Sequence, residues 1–267
     1  MAKSYQAPRG TQDILPPVSD RWHHLESTFR KVCERYGYQE VRTPVFEESG
    51  LFARGIGDAT DIVSKEMYVF EDRGGRSMAL RPEGTAGIVR AFVEHKLAGE
   101  KSAWKVFYFM SIFRYERPQA GRYRQAHQVG VECFGPTGPD ADAEVIALNM
   151  AWYRELGIRG HELRLNSLGC PVCRPSHRQA LSEALSEVRG DLCPTCQGRM
   201  ETNPLRVFDC KSAECQALVA SAPSTVDYLC AECQSHFARL RDLLEAMELP
   251  YELAPRLVRG LDYYTRT

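Results

Sequence analysis

The chain has 267 residues, with 34 Lys and Arg against 35 Asp and Glu and a formal net charge of -1. This length can bury one large core or two small ones, and the balanced charge excludes a general electrostatic attraction for nucleic acid. The N-terminus has no apolar segment of the signal-peptide kind, and no run reaches the ~20 apolar residues of a membrane span. We therefore expect a soluble, cytoplasmic protein that has no membrane partner.

The N-terminal part of the chain predicts one helix, one edge strand and one loop. Apolar residues that recur at helical spacing predict the helix, and Ser19 or Asp20 can cap it. Residues 38–46 then predict a short strand, which Pro44 restricts to an edge or an interface. Small and polar residues at 55–64 indicate a mobile loop.

The peptide RPEGT, residues 81–85, stands between a predicted hairpin and a predicted helix. Residues 67–70 and 78–81 predict strands around a Gly-Gly turn, and Thr85 can cap the helix that follows. A carboxylate and a hydroxyl at the start of a helix are positioned to meet the ammonium group of a ligand. Capping alone explains Thr85 equally well, whereas Glu83 is harder to explain without a ligand.

The most informative stretch predicts two paired strands joined by a basic loop. The strands are residues 106–113 and 125–134, and a proline and a glycine keep the loop between them out of regular structure. Four guanidinium groups lie in or beside this loop, those of Arg114, Arg117, Arg122 and Arg124.

Strand alternation predicts a small polar pocket on this hairpin. Arg114 continues the buried row of Met110 on the first strand, so it is aimed inward. On the second strand Gln128, Gly130 and Glu132 share a face, and the glycine leaves empty space between an amide and a carboxylate. Because a buried arginine and glutamate are costly unless they pair or bind a ligand, a structural Arg–Glu ion pair is an open alternative.

Regular structure continues after the hairpin. A glycine- and proline-rich turn leads into a helix that Asp140 or Asp142 can cap and that has one apolar stripe. Residues 161–167 alternate like a half-buried strand, and residues 228–247 predict an apolar helix. We assign the first of these helices to the core rather than to function.

Eight of the ten cysteines lie between residues 170 and 233. In chain order their spacing resembles two zinc-ribbon sets of four thiolates, and such sets suit a tetrahedral structural zinc. Apolar helices could also carry this segment without a metal, and the missing signal peptide disfavours disulfides. We expect His177 and His236, close to these cysteines, to be surface residues. The two predicted sets are Cys170, Cys173, Cys193, Cys196 and Cys210, Cys215, Cys230, Cys233.

Three stretches resemble the histidyl-tRNA synthetases, a family of class II aminoacyl-tRNA synthetases. Motif 2 of the class is similar to the sequence FRYE, its basic loop and the returning strand GRYRQAHQVGVECFG. Two further peptides of the family are similar to RPEGT and to the C-terminal LVRGLDYYTRT. The first helix, strand and proline resemble motif 1, which builds a homodimer contact in the family. The resemblance runs from near residue 8 to the last residue.

The resemblance implies an α+β fold, a class II antiparallel sheet flanked by helices with a mainly helical, Cys-rich insertion. It divides the chain into a catalytic core (1–168), the insertion (169–250) and a return to the core (251–267). It also implies that ATP, as its Mg²⁺ complex, activates L-histidine to histidyl-adenylate, which is then transferred to histidine tRNA.

The resemblance implies roles for individual residues. Arg114 binds the α-phosphate and the substrate carboxylate, Arg259 supplies a second cation, and Glu116 and Arg122 contact ATP. Arginine suits the first role because its rigid fork can hold two oxygens and stays charged. The resemblance also implies which residues bind histidine: Glu132 and Tyr264 at the ring nitrogens, Glu83, Thr85 and Gln128 at the ammonium group, and Gly84 and Tyr263 in the pocket.

The chain stops after TRT, so the third class II motif and the anticodon-binding domain are missing from it. We therefore expect this chain alone to be weak in ATP–pyrophosphate exchange. A histidine-binding regulatory paralogue, of the kind found with ATP phosphoribosyltransferase, is the first alternative. A zinc-ribbon nucleic-acid-binding protein is the second, although the Cys-rich segment is mixed in charge.

Overall fold

A computed structural model describes residues 4–56, 62–99, 103–258 and 264–267. Contacts divide the chain into two compact units, one of residues 1–137 with 148–159 and one of residues 138–147 with 160–267. Both units mix helices with short strands, which confirms the predicted α+β class. None of the helices in the described ranges is long and apolar enough to cross a membrane.

The first unit is built around two small sheets. Strand β1 pairs in parallel with β5, which pairs antiparallel with β6, and a second sheet has the antiparallel order β2-β4-β3. The elements are α1 (Val18–Arg35), β1 (Gln39–Glu40), β2 (Phe46–Glu48), α2 (Ser49–Ile56), a π-helical turn (Ile62–Glu66), β3 (Val69–Glu71), β4 (Ser77–Leu80), α3 (Thr85–Glu94), a 3-10 turn (Leu97–Gly99), β5 (Trp104–Phe113), β6 (Gln125–Phe134) and the second half of α4 (Pro139–Glu155).

The β5–β6 hairpin is confirmed, with ten consecutive residue pairs from Trp104 opposite Phe134 to Phe113 opposite Gln125. Both of its faces are covered. One face packs with Ile88 of α3, and the other packs with Phe29 of α1 and with α4. A strand pair covered on both sides is held in one register, because a slip by one residue would exchange the two buried sets.

The single strand predicted over residues 38–46 is wrong, because the chain changes sheets there. β1 belongs to the hairpin sheet and β2 to the other, and Pro44 lies between them. The buried guanidinium of Arg81 fixes this crossing: it donates to the carbonyl oxygens of Thr43 and Pro44 at 3.0 and 3.2 Å and to that of Ser111 at 2.7 Å. Burial lowers the pKa of Arg81. One side chain thus satisfies the carbonyls that a continuous strand would have paired.

The first two predicted helix caps are wrong. Helix α1 begins at Val18, so Ser19 and Asp20 lie inside its first turn, where the amide of Ser19 donates to the carbonyl of Leu15. Thr85 is the first residue of α3, and the carboxylate of Glu83 accepts from the first two amides of that helix instead.

The third predicted cap also lies inside its helix. Helix α4 begins at Pro139, so Asp140 and Asp142 occupy its first turn. At that position a carboxylate complements the positive end of the helix without serving as its cap.

In its described residues the second unit is mainly helical, with one parallel strand pair. Its elements are the first half of α4, β7 (Arg164–Leu165), α5 (Arg174–Glu187), a 3-10 turn (Arg189–Asp191), α6 (Pro194–Thr202), a 3-10 turn (Pro204–Asp209), α7 (Ala213–Leu218), a 3-10 turn (Thr225–Tyr228), α8 (Ala231–Ala246) and β8 (Glu252–Leu253). The strand predicted at 161–167 shrinks to the two residues of β7, which pair with β8.

His177 and His236 of this unit are buried, so their predicted surface position is wrong. The Nε2 atom of His177 lies 2.9 Å from the carbonyl oxygen of Pro223, and Nε2 of His236 lies 3.7 Å from Oδ2 of Asp142. Each ring therefore has a local polar partner that compensates its burial.

We predict that Gly130→Ala destabilises the protein by about 1–3 kcal/mol, because a methyl group there collides with the ring and hydroxyl of Tyr108. Gly50→Ala is the matched control: it lies in α2 and its added methyl meets no atom within 4 Å. The control should be neutral or stabilising by up to about 1 kcal/mol. Urea unfolding measures both, and an equal response of the two variants would contradict the packing described.

Candidate active site

Three polar or small residues alternate along β6 and share one face of the hairpin. Gln128, Gly130 and Glu132 lie opposite Met110, Tyr108 and Val106 of β5. The prediction of empty space at the glycine is wrong, because the Tyr108 side chain fills it. Gly84 flanks the same ring, where an added methyl would lie 2.7 Å from two ring carbons. The two glycines thus admit an aromatic ring to this face of the sheet.

Glu132 is the central carboxylate of this face. The hydroxyl of Thr85 donates to Oε1 of Glu132 at 2.7 Å. Removal from water raises the pKa of Glu132 to about 7, with a smaller contribution from the negative charge of Glu83, while the Thr85 hydrogen bond opposes the rise. A carboxyl group poised near neutrality accepts a hydrogen bond or releases its proton when a cationic or N–H donor approaches.

Glu83 is 3% exposed and lies at the start of α3. Its two carboxylate oxygens accept from the backbone N–H groups of Thr85 and Ala86 at 2.6 and 2.8 Å. These bonds stabilise its negative charge at a helix N-terminus. A carboxylate has about four acceptor positions, so this anchored group keeps capacity for a further donor.

Arg114 follows the last residue of β5 and is half-buried. Its Nε atom donates to the carbonyl oxygen of Pro82 at 2.9 Å, and its backbone N–H donates to the carbonyl of Arg124. Within the described residues its guanidinium forms no ion pair, and the carboxylate of Glu132 bonds to Thr85 instead. The alternative of a structural Arg–Glu pair inside the sheet is therefore wrong for the described part of the chain.

The side-chain oxygen of Gln128 is a further hydrogen-bond acceptor on this face. Its Oε1 atom is buried and has no hydrogen-bond partner among them. An unsatisfied buried acceptor costs about 1–3 kcal/mol, which a ligand that donates a hydrogen bond would recover. Gln128 and Glu132 thus present acceptors on the face where the sequence predicted a polar pocket.

The loop between β5 and β6 is held by its own side chains. Arg122 pairs with Glu116 at 3.4 Å, and the guanidinium of Arg124 lies 3.9 Å above the ring of Tyr115. The backbone N–H of Arg124 also donates to the carbonyl of Gly10 at 2.7 Å. The loop thus has an anchored base at Arg124 and a more exposed tip at Arg122.

Of the predicted residues of the C-terminal peptide, only Tyr264 lies within the described residues. Arg259 and Tyr263 lie outside the described residues. Tyr264 belongs to the second unit, where its carbonyl accepts from the guanidinium of Arg174.

Sequence reasoning missed Tyr108, whose side chain fills the space beside Gly130, and the role of Arg81 at the crossing between the two sheets. Tyr108 stands two positions before Met110, on the face already predicted to be buried, which was an available signal. The three carbonyl partners of Arg81 come from distant parts of the chain and left no local pattern.

Comparison with known proteins identifies the family. A sequence model described as histidyl-tRNA synthetase matches residues 10–187. The chain belongs to the histidyl-tRNA synthetase family. It is 57% identical over 260 residues to a histidine–tRNA ligase of Moorella thermoacetica, which covers 97% of this chain and 62% of that protein. The chain thus spans about three fifths of the length of that curated relative.

Solved structures agree with this family assignment. The chain resembles apo histidyl-tRNA synthetase of S. aureus with a TM-score of 0.77 and 37% identity, over 98% of this chain and 60% of that one. A second likeness, TM-score 0.70 over 100% of this chain and 72% of the other, is to a Bacillus halodurans protein titled ATP phosphoribosyltransferase regulatory subunit/histidyl-tRNA synthetase. At 19% identity it shows the fold alone.

This member of the histidyl-tRNA synthetase family also contains two groups of cysteines, and their membership differs from the predicted one. The sets predicted in chain order are wrong: Cys170 and Cys173 meet Cys230 and Cys233, while the four cysteines between them form the second group. The second group is Cys193, Cys196, Cys210 and Cys215. Within each group the four sulfur atoms lie within 4.8 Å of one another. Helix packing, not sequence order, decides which thiols meet.

Backbone amides shift the acidity of the half-buried thiols. The N–H groups of Cys173 and Val172 lower the pKa of Cys170 to about 6, and that of Cys196 lowers the pKa of Cys193 to about 7. Burial raises the pKa of Cys233, in the first group, to about 12. Each group therefore contains a thiol that ionises readily beside neighbours from which water is excluded.

The raised pKa of Glu132 predicts that the free energy of unfolding depends on pH. Because the folded-state pKa, about 7, exceeds the ordinary value of 4.5, this carboxyl destabilises the folded state progressively as pH rises from about 4.5 to 7. We compare the free energy of unfolding of Glu132→Gln with that of the unaltered chain. This difference should shift in favour of the variant by on the order of 2 kcal/mol when the pH is raised from 5 to 8. Urea unfolding at both pH values measures this difference.

The exposed variant Glu187→Gln provides the control, and its stability difference should stay nearly constant across the same pH range. A difference for Glu132→Gln that is equally insensitive to pH would show that Glu132 is ionised at both values.

Proposed function

We propose that this chain carries the amino-acid-activating site of a histidine–tRNA ligase. In this reaction L-histidine and ATP, as its Mg²⁺ complex, form histidyl-adenylate and pyrophosphate, and the histidyl group is then transferred to the 3′ end of histidine tRNA. Membership of the family and the acceptors on the β6 face support the proposal. Residues 1–168 and 251–267 would form the catalytic core, and residues 169–250 an insertion.

The observation that carries the proposal is the grouping of acceptors at the start of α3. The carboxylates of Glu83 and Glu132 and the Gln128 oxygen, which has no partner in the described ranges, favour a ligand with several N–H donors. Histidine has an ammonium group and an imidazole, so it matches that set. Glu83, Thr85 and Gln128 would hold the ammonium group.

The imidazole supplies the specificity. Glu132 would accept from one ring nitrogen and the hydroxyl of Tyr264 would donate to the other, with Gly84 and Tyr263 lining the pocket. An amino acid without these ring nitrogens would leave the buried partners unpaired, and such sites discriminate by on the order of 10⁴ or more. The recognition would therefore need no separate editing step.

Arg114 would supply the charge that the activation step requires. A carboxylate oxygen of histidine attacks the α-phosphorus of ATP, the bond to the bridging oxygen breaks, and pyrophosphate leaves with its electron pair. Negative charge accumulates on the phosphoryl oxygens, and a guanidinium fork can hold two of them. The absence of an acidic partner for Arg114 within the described residues supports this role. Arg259 would be the second cation, and Glu116 and Arg122 would contact ATP.

We also propose a homodimer formed through the motif 1 region. The sheet β2-β4-β3 exposes large apolar side chains, with Phe46 52% and Val69 54% accessible. Phe46 and Phe70 pack edge to face with ring centroids 6.2 Å apart, which makes a contiguous apolar surface. Such a patch favours burial against a second copy of the chain.

Calorimetry with L-histidine and histamine tests the amino-acid site. We expect Glu132→Gln to weaken both ligands by about 10- to 100-fold, because both carry the imidazole. Arg114→Gln should weaken L-histidine by a similar factor and leave histamine nearly unchanged, because histamine lacks the carboxylate. Arg117→Gln, in the same loop and exposed, is the matched control and should change neither affinity.

Two results would contradict the assignment. An equal loss of histidine and histamine affinity in Arg114→Gln would show a structural role for that residue. Tight histidine binding together with no binding of ATP would favour the histidine-binding regulatory paralogue over the ligase.

Light scattering after size exclusion tests the dimer. Because a charge at the centre of a buried apolar contact is strongly unfavourable, Phe46→Asp should convert the dimer into monomers. Ile158→Asp is the control: it places the same charge on another exposed apolar residue of the first unit, and the dimer should persist. A monomeric unaltered chain, or a Phe46→Asp variant that stays dimeric, would refute this interface.

A further inference from the structure

We propose that the two cysteine groups of the second unit are two separate structural zinc sites, one nested inside the other along the chain. The outer site consists of Cys170, Cys173, Cys230 and Cys233, and the inner site of Cys193, Cys196, Cys210 and Cys215. The proposal concerns these side chains alone and does not depend on the activity proposed above.

The spacing of the sulfur atoms fits one tetrahedral ion in each group. With a Zn–S bond of about 2.3 Å, two ligands of a regular tetrahedron lie about 3.8 Å apart. In the outer group the Sγ atom of Cys170 lies 3.6 Å from that of Cys173 and 3.8 Å from that of Cys230, and the Cys173 and Cys233 sulfurs are 3.8 Å apart. In the inner group the Cys193–Cys210 distance is 3.9 Å.

The same distances exclude the other chemistry of paired cysteines. A disulfide bond would bring two sulfurs to about 2.0 Å, and none of the ten cysteines, all within the described ranges, is bonded in this way. An iron–sulfur cluster would hold its four thiolates farther apart, because several iron and sulfide atoms lie between them. Four ligands around one centre also leave no open coordination position, which is the arrangement of a structural zinc site.

Donor groups of the backbone point at the sulfurs. The N–H of Cys170 donates to Sγ of Cys173 at 3.0 Å, that of Cys193 to Sγ of Cys215 at 3.3 Å, and that of Ser212 to Sγ of Cys210 at 3.4 Å. Such bonds stabilise the thiolates that a metal requires and fix their orientation.

Helix starts reinforce the effect of these amides. Cys173, Cys193 and Cys230 stand immediately before α5, α6 and α8, whose positive ends favour thiolates. Two cysteines of the outer group, Cys173 and Cys230, thus stand at helix starts, and one of the inner group, Cys193, does so.

Gly169 shows that the backbone is shaped for the outer group. It adopts a left-handed conformation with φ of +64°, and a Cβ there would lie 2.7 Å from Sγ of Cys173. The glycine lets the chain turn tightly around the sulfur atoms just before Cys170.

Each site anchors one of the two cores of the second unit. Cys173 and Cys233 are buried in one apolar cluster with Leu240, and Cys196 and Cys215 are buried in another with Leu181. The outer site also joins the segment after β7 to the start of α8, which leads to β8, the partner of β7. Zinc would therefore close the loop that contains the whole inner site.

The first test measures metal in the reduced, purified chain. We expect two zinc ions per chain by elemental analysis. After chelation, titration with Co²⁺ should give the visible ligand-field bands of tetrahedral tetrathiolate cobalt, with an end point at two equivalents. A chain that binds neither metal, or that contains iron instead of zinc, would overturn the proposal.

Paired variants test the nesting. Cys170→Ser with Cys230→Ser removes two ligands of one site, so one zinc ion should remain. Cys170→Ser with Cys193→Ser removes one ligand from each site, so both sites lose their tetrahedral thiolate spectrum. If the sites were instead grouped in chain order, Cys170→Ser with Cys230→Ser would damage both sites, and Cys170→Ser with Cys193→Ser would leave one zinc ion. Cys133→Ser, which lies in β6, is the control and should keep both ions.

A measurement on the unaltered chain covers the case in which a variant fails to fold. The zinc-loaded chain is partly depleted with a chelator, alkylated, and sorted by mass into species that keep one ion. Each such species should have four alkylated cysteines in one cluster, either the outer or the inner set. Alkylation of Cys170, Cys173, Cys193 and Cys196 together would overturn the nested arrangement.

Discussion

The register of the β5–β6 hairpin decides which side chains become core and which form the candidate site. Because alternate residues of a strand face opposite sides, ten fixed pairs give one face to Phe107 and Val129 and the other to Tyr108, Gln128 and Glu132. Apolar groups cover both faces, so a change of register by one residue would exchange the two sets and move the polar side chains into the apolar core on the other face. The polar groups therefore hold their positions because the core around them cannot slide.

The site keeps two acidic groups close together, and it stabilises them by different means. Glu83 receives two backbone N–H groups at the start of α3, which compensate the loss of water around its charge. Glu132 receives one hydroxyl, and its pKa rises instead. Backbone amides therefore fix the position of the first carboxylate, while the second responds to what binds beside it. This difference fits a region that orients one end of a ligand and identifies the other.

The sequence predicts local elements well and distant partnerships poorly. Strand β6 has the bounds that alternation predicted, since its pattern is complete within ten residues. Arg81 could not be interpreted from the sequence, because the carbonyls it binds come from positions about 30 to 40 residues away. The cysteines show the same limit. Their short spacings predict paired ligands, but the choice between Cys193 and Cys230 as partner of Cys173 depends on how helices pack.

The nested order of the cysteines has a consequence for biogenesis. A ribosome releases the N-terminal part of a chain first, so Cys193 to Cys215 emerge together while Cys170 and Cys173 still await Cys230 and Cys233. All four cysteines of the inner group are therefore available before Cys230 is synthesised, and a closed inner group would shorten the flexible segment between Cys173 and Cys230. Maturation of this unit would thus begin with the inner group and continue with the outer group, whose last two cysteines lie at the start of α8.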